Sequence, residues 1–213
     1  MTHRPSTDDL IRRLAASPPP PPLGALGLVL PMLASLGIAL GLFMAIFGPR
    51  ADLIHALAQP TVAAKTLLPL ALALVALTLA VRSTRPARPL RGSLLALPVA
   101  AALAMFVARL IQLPSGLVMP ELVGGSAAAC LLSITALSFP ATVAGLVVFR
   151  SGASPRPAFT GAMIGVSAAA GAAAGYALYC TEDSPLFFTT WYGVAILAAA
   201  IAGGTAGRLF LRW

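Results

Sequence analysis

The chain has 213 residues, 59% of them hydrophobic and only 9% charged, with mean hydropathy +0.92 and formal net charge +8. A soluble domain carries charge on roughly a quarter of its residues, so this composition excludes one. Apolar runs near the roughly 20 residues that cross a ~30 Å hydrocarbon core recur along the chain, and they are continuous where barrel strands would alternate.

Residues 1–17 are polar and predict a short cytoplasmic helix. Ser6 or Thr7 can cap it, Asp8 and Asp9 suit its positive end, and Leu10, Ile11 and Leu14 fall on one apolar stripe. A helix this short is marginal alone in water. It is expected to order against a partner or to lie on anionic lipid, with Arg12 and Arg13 at head groups. Pro18 to Pro22 follow as a stiff polyproline spacer. The next run, Leu23 to Phe47, is too long for a signal peptide and lacks a cleavage site.

Residues 23–213 then predict an all-α, polytopic membrane domain of six transmembrane helices, over 23–47, 63–81, 93–113, 122–149, 158–180 and 188–207. Gly48-Pro49-Arg50, Arg82 to Arg91, Pro114 to Gly116, Arg150 to Pro157 and Thr181 to Pro185 break the runs. Basic residues sort by side. Arg4, Arg12, Arg13, Arg82, Arg85, Arg88, Arg91, Arg150, Arg156, Arg208 and Arg212 fall on one, against Arg50, Lys65 and Arg109 on the other. That asymmetry predicts both termini in the cytoplasm. It also accounts for the net charge without a nucleic-acid partner. The bias to Arg over Lys, with abundant Ala and Pro, suits a GC-rich bacterium, so an inner (cytoplasmic) membrane is expected.

Counting about 20 residues outward from Arg150 and from Pro157 sets Cys130 and Cys180 at the same outer boundary, on consecutive spans. Three readings stay open for them: small buried hydrophobes, a disulfide or reversible thiol switch in an oxidising exterior, or a soft-metal site. Two thiolates rarely complete a zinc site, and His55 is the only exterior histidine, so no permanent metal centre or cofactor is expected.

The run Tyr179 to Gly193 surrounds Cys180 with aromatic residues and two acids. Trp191 and Tyr192 read as interfacial anchors, and Glu182 and Asp183 as plain outer-loop acids, or as acids that disfavour the Cys180 thiolate or draw cations towards it. The pairs Gly37/Gly41, Gly161/Gly165, Gly171/Gly175 and Gly203/Gly207 have the spacing for close helix packing within the chain. No span has an acid at its centre, and Lys65 and Arg109 are expected to snorkel from span ends. The phosphate loop, zinc-protease and nucleophile-elbow motifs are absent from the sequence, so no enzyme is expected.

These features together resemble the NrsF-like family (negative regulator of sigma F), six-span bacterial membrane anti-sigma factors. The resemblance rests on Thr7-Asp8-Asp9-Leu10-Ile11-xx-Leu14, the proline spacer, one cysteine in span four, and Cys180-x-Glu182-Asp183-Ser184-Pro185-Leu186-Phe187-xxx-Trp191-Tyr192-Gly193. It implies that the N-terminus docks an extracytoplasmic-function sigma factor through the segment around Asp8, Asp9 and Leu10. It also implies that Cys130 and Cys180 form the stress-sensing pair, with inhibition by the reduced form. The chain departs from the family pattern at Tyr179, where His is common, and at Ala127 to Ala129, where Trp is common. Two rivals remain: a membrane thiol–disulfide electron conduit, which would use CxxC or Cys-Pro, and a small transporter, which would need a polar site at the midplane.

Overall fold

Most long helices of this chain are apolar all round, so which residues face the protein is decided by side-chain size more than by a hydrophobic stripe. The computed structural model describes residues 6–16, 24–84, 92–152 and 154–211. The proline spacer, Arg85, Arg88, Arg91 and Arg212, and the side chain of Leu14, lie outside the described residues.

The described residues form α1 (Thr7–Ala16), α2 (Ala25–Phe47), α3 (Leu53–Leu57), α4 (Pro60–Ser83), α5 (Ala96–Gln112), α6 (Ser115–Val123), α7 (Ala127–Phe149), α8 (Pro157–Tyr176) and α9 (Pro185–Phe210), with no strand among them. A 3-10 turn, Gly92–Leu95, leads into α5. Six segments are long and apolar enough to cross a membrane: α2, α4, the turn with α5, α6 with α7, α8, and α9. The expected six-span helical membrane fold is therefore present.

Two of its boundaries differ from the sequence expectation. The fifth span ends at Tyr176 instead of residue 180, so Cys180 lies in the following turn. The fourth begins as a separate helix at Ser115 and breaks at Gly124. Gly124 has φ 58°, and a Cβ there would stand 2.6 Å from the Phe187 ring, so both backbone and space require glycine. The ninth helix starts cleanly: Ser184 Oγ accepts from Leu186 N at 3.2 Å, with Pro185 in the first turn.

Helix α8 is the centre of the bundle. Nearly every residue from Thr160 to Ala174 is buried, and its Gly, Ala and Ser side chains let α2, α4, α7 and α9 approach on all sides. Gly161 and Gly165 face Gly203, Gly207 and the Ala199 backbone across α9, where an added Cβ would strike main-chain atoms. Gly171 and Gly175 receive Leu36 and Leu40 of α2. Gly37 and Gly41, by contrast, have open space around them, so this pair packs against nothing within the described chain.

The end of the bundle away from the cysteines closes on neutral groups. Ser83 and Thr160 hydroxyls lie 2.7 Å apart and Ser154 and Thr160 hydroxyls 2.6 Å apart, all buried, so α4 and α8 share a three-hydroxyl chain. The glycine environments predict opposite signs for one substitution. Gly203→Ala should cost about 1–3 kcal/mol by overpacking against backbone, whereas Gly37→Ala should stabilise by roughly 0.5–1 kcal/mol through helix propensity. Thermal unfolding in detergent distinguishes the two.

Candidate functional site

The cysteines stand on different elements yet reach the same core. Cys130 occupies the first turn of α7, its N–H bonded to Ser126 O at 2.8 Å, and Cys180 closes the turn after α8, its N–H bonded to Tyr176 O at 3.0 Å. Both thiols are free. They are 0% and 3% exposed and share one apolar cluster with Ile134, Tyr176, Phe187, Phe188 and Tyr192. The Tyr192 hydroxyl is buried without a hydrogen-bond partner and lies beside both thiols.

An aromatic series connects this cluster to the first span. Tyr192 meets Tyr176 at 6.3 Å between ring centroids, Tyr176 meets Tyr179 at 5.8 Å, and Phe43 of α2 touches both Tyr176 and Tyr179 at 5.9 and 5.2 Å.

Over the cluster lies a charged clamp. Lys65 is 0% exposed, and its Nζ donates to Cys180 O at 2.7 Å and to Asp183 Oδ1 at 3.2 Å. The expectation that Lys65 snorkels to water is corrected: α4 turns it inward because the acid and carbonyl that satisfy it come from the Cys180 loop. Arg50 holds the same loop from the end of α2. Its N–H donates to Leu178 O at 3.1 Å, its Nη1 to both Asp183 oxygens at 2.9 Å, and its Nε and Nη2 to Asp52 at 2.7 and 3.0 Å. The hydrogen bond to Asp52 raises the Arg50 pKa further above its ordinary range, and the same bond lowers that of the exposed Asp52 carboxyl.

A second polar group joins α5, α6 and α9. Arg109 pairs with Glu121 through Nε and Nη2 at 2.7 and 3.0 Å, and Ser184 Oγ donates to Glu121 at 2.6 Å. Arg109 and Glu121, with Asp183 and Ser184, line an open cleft of about 580 Å³. Glu182 accepts from Gly125 N at 3.0 Å, so the segment before Cys130 is fastened to the segment after Cys180. Trp191 Nε1 donates to Leu122 O at 2.9 Å.

The four residues expected around the sensor loop, Glu182, Asp183, Trp191 and Tyr192, therefore converge with the two cysteines. Asp183 draws the chain's own cations, Arg50 and Lys65, whereas Glu182 takes a backbone N–H. Sequence reasoning missed the roles of Arg50, Lys65, Arg109, Glu121 and Tyr176. The available signal was the single Lys of the chain placed inside a span, where an ionisable residue demands a partner. Among the described residues no group of three or more His, Cys, Asp or Glu side chains is placed to hold a metal ion.

The N-terminal candidates lie apart from this site. Ser6 Oγ caps α1 by accepting from Asp9 N at 3.2 Å, and Leu10 and Ile11 are 51% and 57% exposed.

The clamp predicts a specific pattern of stabilities. Asp183→Asn should destabilise by about 3 kcal/mol, because it strips the buried Lys65 of its counter-charge, and adding Lys65→Met should restore part of that loss. Unfolding of the single and double variants in detergent measures it. The Arg50–Asp52 pair contributes above the ordinary carboxylate pKa and is lost as pH falls through the lowered Asp52 value, so Asp52→Asn should flatten the acid limb of stability.

The comparisons with known proteins bear on this architecture. The chain is 36% identical over 90 residues to the "Anti-sigma-F factor NrsF" of Caulobacter vibrioides, a stretch covering 42% of each chain. It is 37% identical over 84 residues to the "Probable anti-sigma-F factor NrsF" of Azospira oryzae, covering 39% of each. The chain thus matches about two fifths of the length of these curated relatives. No solved structure matches it. The family model described as "Negative regulator of sigma F" matches residues 14–213, which include both cysteines and all six spans but leave out Thr7 to Arg13. With nearly its whole length so matched, the chain belongs to the NrsF family.

Proposed function

We propose that this protein is a membrane-embedded anti-sigma factor. It sequesters an extracytoplasmic-function sigma factor through α1 and releases it when Cys130 and Cys180 are modified by oxidants or thiol-reactive metals. It acts as a regulator, without catalysis, in a bacterial inner membrane, with both termini cytoplasmic and the thiol end outward as the arginine distribution favours.

One observation carries this reading. The two cysteines, fifty positions apart in the chain, share a filled buried cluster. The loop over that cluster is fastened by Arg50 to the end of the span that leads back to α1. Modifying a thiol in a close-packed site changes its volume and forces neighbours to move. The loop that moves is the one carrying Leu178 O, Cys180 O and Asp183, so α2 loses its anchor. Helix α2 is largely exposed along its length, and besides that anchor it is held by α7, by the Gly171/Gly175 contacts and by Phe43 against Tyr176 and Tyr179. Release requires only that the sigma factor bind the two arrangements unequally, and a difference of about 1.4 kcal/mol shifts binding tenfold.

At the other end, α1 offers exposed Leu10 and Ile11 beside Asp8 and Asp9, a face suited to a basic, apolar groove on a sigma factor. Both thiols sit at one end of the bundle and no CxxC is present, which weighs against an electron conduit with access from both faces.

Affinity capture from cells, with full-length protein and with residues 1–17 deleted, tests the reading. A sigma factor should be retained only by the full-length chain. Oxidant should release it, unless Cys130 and Cys180 are serine. Leu10→Asp should weaken capture by at least about tenfold. Absence of a sigma factor from the reduced full-length sample would sink the proposal.

A further inference from the structure

The thiol pair is closed towards the charged end. Any approach to Cys180 from there meets Arg50, Asp183 and Lys65 hydrogen-bonded over its carbonyl, and Glu182 ties the loop to Gly125. On the flank facing the bilayer the wall is thinner. A cavity of about 210 Å³ lies between α4, α5 and α9, lined by Leu72, Ala102, Leu103, Thr189, Tyr192 and Gly193. Its rim is open: Leu103 is 52% exposed and Gly193 is also exposed. Tyr192 and Phe188 line this cavity and also belong to the cysteine cluster, so the cavity and the cluster share a wall.

We infer that this cavity admits a quinone dissolved in the membrane and that the quinone is an oxidant of the Cys130/Cys180 pair. The inference rests on the reading above, that these thiols are the sensing groups. Four observations fit that occupant. The cavity opens on a lipid-facing flank, which selects a molecule that partitions into the bilayer. Its lining is almost wholly apolar and carries no charge, which selects a neutral one. Flat rings of Phe188 and Tyr192 form its inner wall, which suits a planar ring by offset stacking. The wall also carries the Thr189 hydroxyl, which makes only a long 3.5 Å contact to Ala102 O. A quinone carbonyl can accept a shorter bond from it.

The reaction balances without a further reagent. Two S–H bonds break and one S–S bond forms. The two electrons and two protons pass to the quinone, whose carbonyl oxygens become the hydroxyls of a hydroquinone.

The test uses the full-length reduced protein in lipid nanodiscs, without oxygen, and a short-chain ubiquinone analogue. Hydroquinone absorbance and thiol loss by alkylation gel shift are followed together. The wild-type chain should form one hydroquinone per pair of thiols lost. Gly193→Leu should slow this about tenfold, because a side chain there grows into the cavity, and its Cβ meets no atom within 4 Å. Leu103→Ala, which widens the mouth, should quicken it. Oxidation by hydrogen peroxide should change by less than about twofold in both variants.

No hydroquinone from the wild-type chain, an unaltered rate in Gly193→Leu, or equal slowing with peroxide would each overturn the inference. Because the readout is thiol chemistry and not sigma release, its failure leaves the anti-sigma reading standing. Failed capture of a sigma factor leaves the quinone result equally intact.

Discussion

The ammonium of Lys65 is the constraint around which the cysteine end is arranged. A charge held in a protein interior costs several kcal/mol unless it is paired and hydrogen-bonded, and this one has no exposed surface at all. Its two partners, Cys180 O and Asp183, both belong to the turn between α8 and α9. That turn cannot leave without stranding the ammonium, and it cannot shift slightly without lengthening a charge-assisted bond. The segment after Cys180 is therefore held in one position, or, once displaced far enough for water to reach Lys65, in another. A sensor needs that kind of discreteness.

Packing in the rest of the bundle leaves little room around the cysteine cluster. From Ser167 to Gly175 helix α8 is entirely Ala, Gly and Ser, so its neighbours come close and there is little slack to absorb a change in volume. Bulk is concentrated at the cysteines instead, in Tyr176, Phe187, Phe188 and Tyr192. A change of volume at the thiols would meet aromatic rings on one side and the turn between α8 and α9 on the other. The link onward to the first span is short, through Phe43 against Tyr176 and Tyr179 and through Arg50 against the turn.

Much of this was legible before any coordinates. Hydropathy alone set the number of spans, because in a bilayer the backbone leaves few alternatives to helices. The run from Tyr179 to Gly193 marked the site, since aromatic residues and acids stand out against Ala and Leu. Three things were not legible. The inward turn of Lys65 depends on Asp183, which is 118 residues away, and no local pattern encodes that pairing. The break at Gly124 hinges on a positive φ and on Phe187 filling the space, and the sequence around it is as apolar as the helix it interrupts. The spacing Gly37-xxx-Gly41 matches that of Gly203-xxx-Gly207, yet only the second pair meets another backbone. Spacing identifies a smooth surface without saying what rests on it.

The two ends of the bundle are built from different chemistry. At the cysteine end the elements are joined by formal charges, whose strength depends on water, salt and proton concentration. At the far end α4 and α8 are joined by the hydroxyls of Ser83, Ser154 and Thr160, which carry no charge and do not titrate near neutrality. Salt or acid therefore loosens the charged end while leaving the hydroxyl end as it is, so the two ends of the same helices answer differently to one change of surroundings.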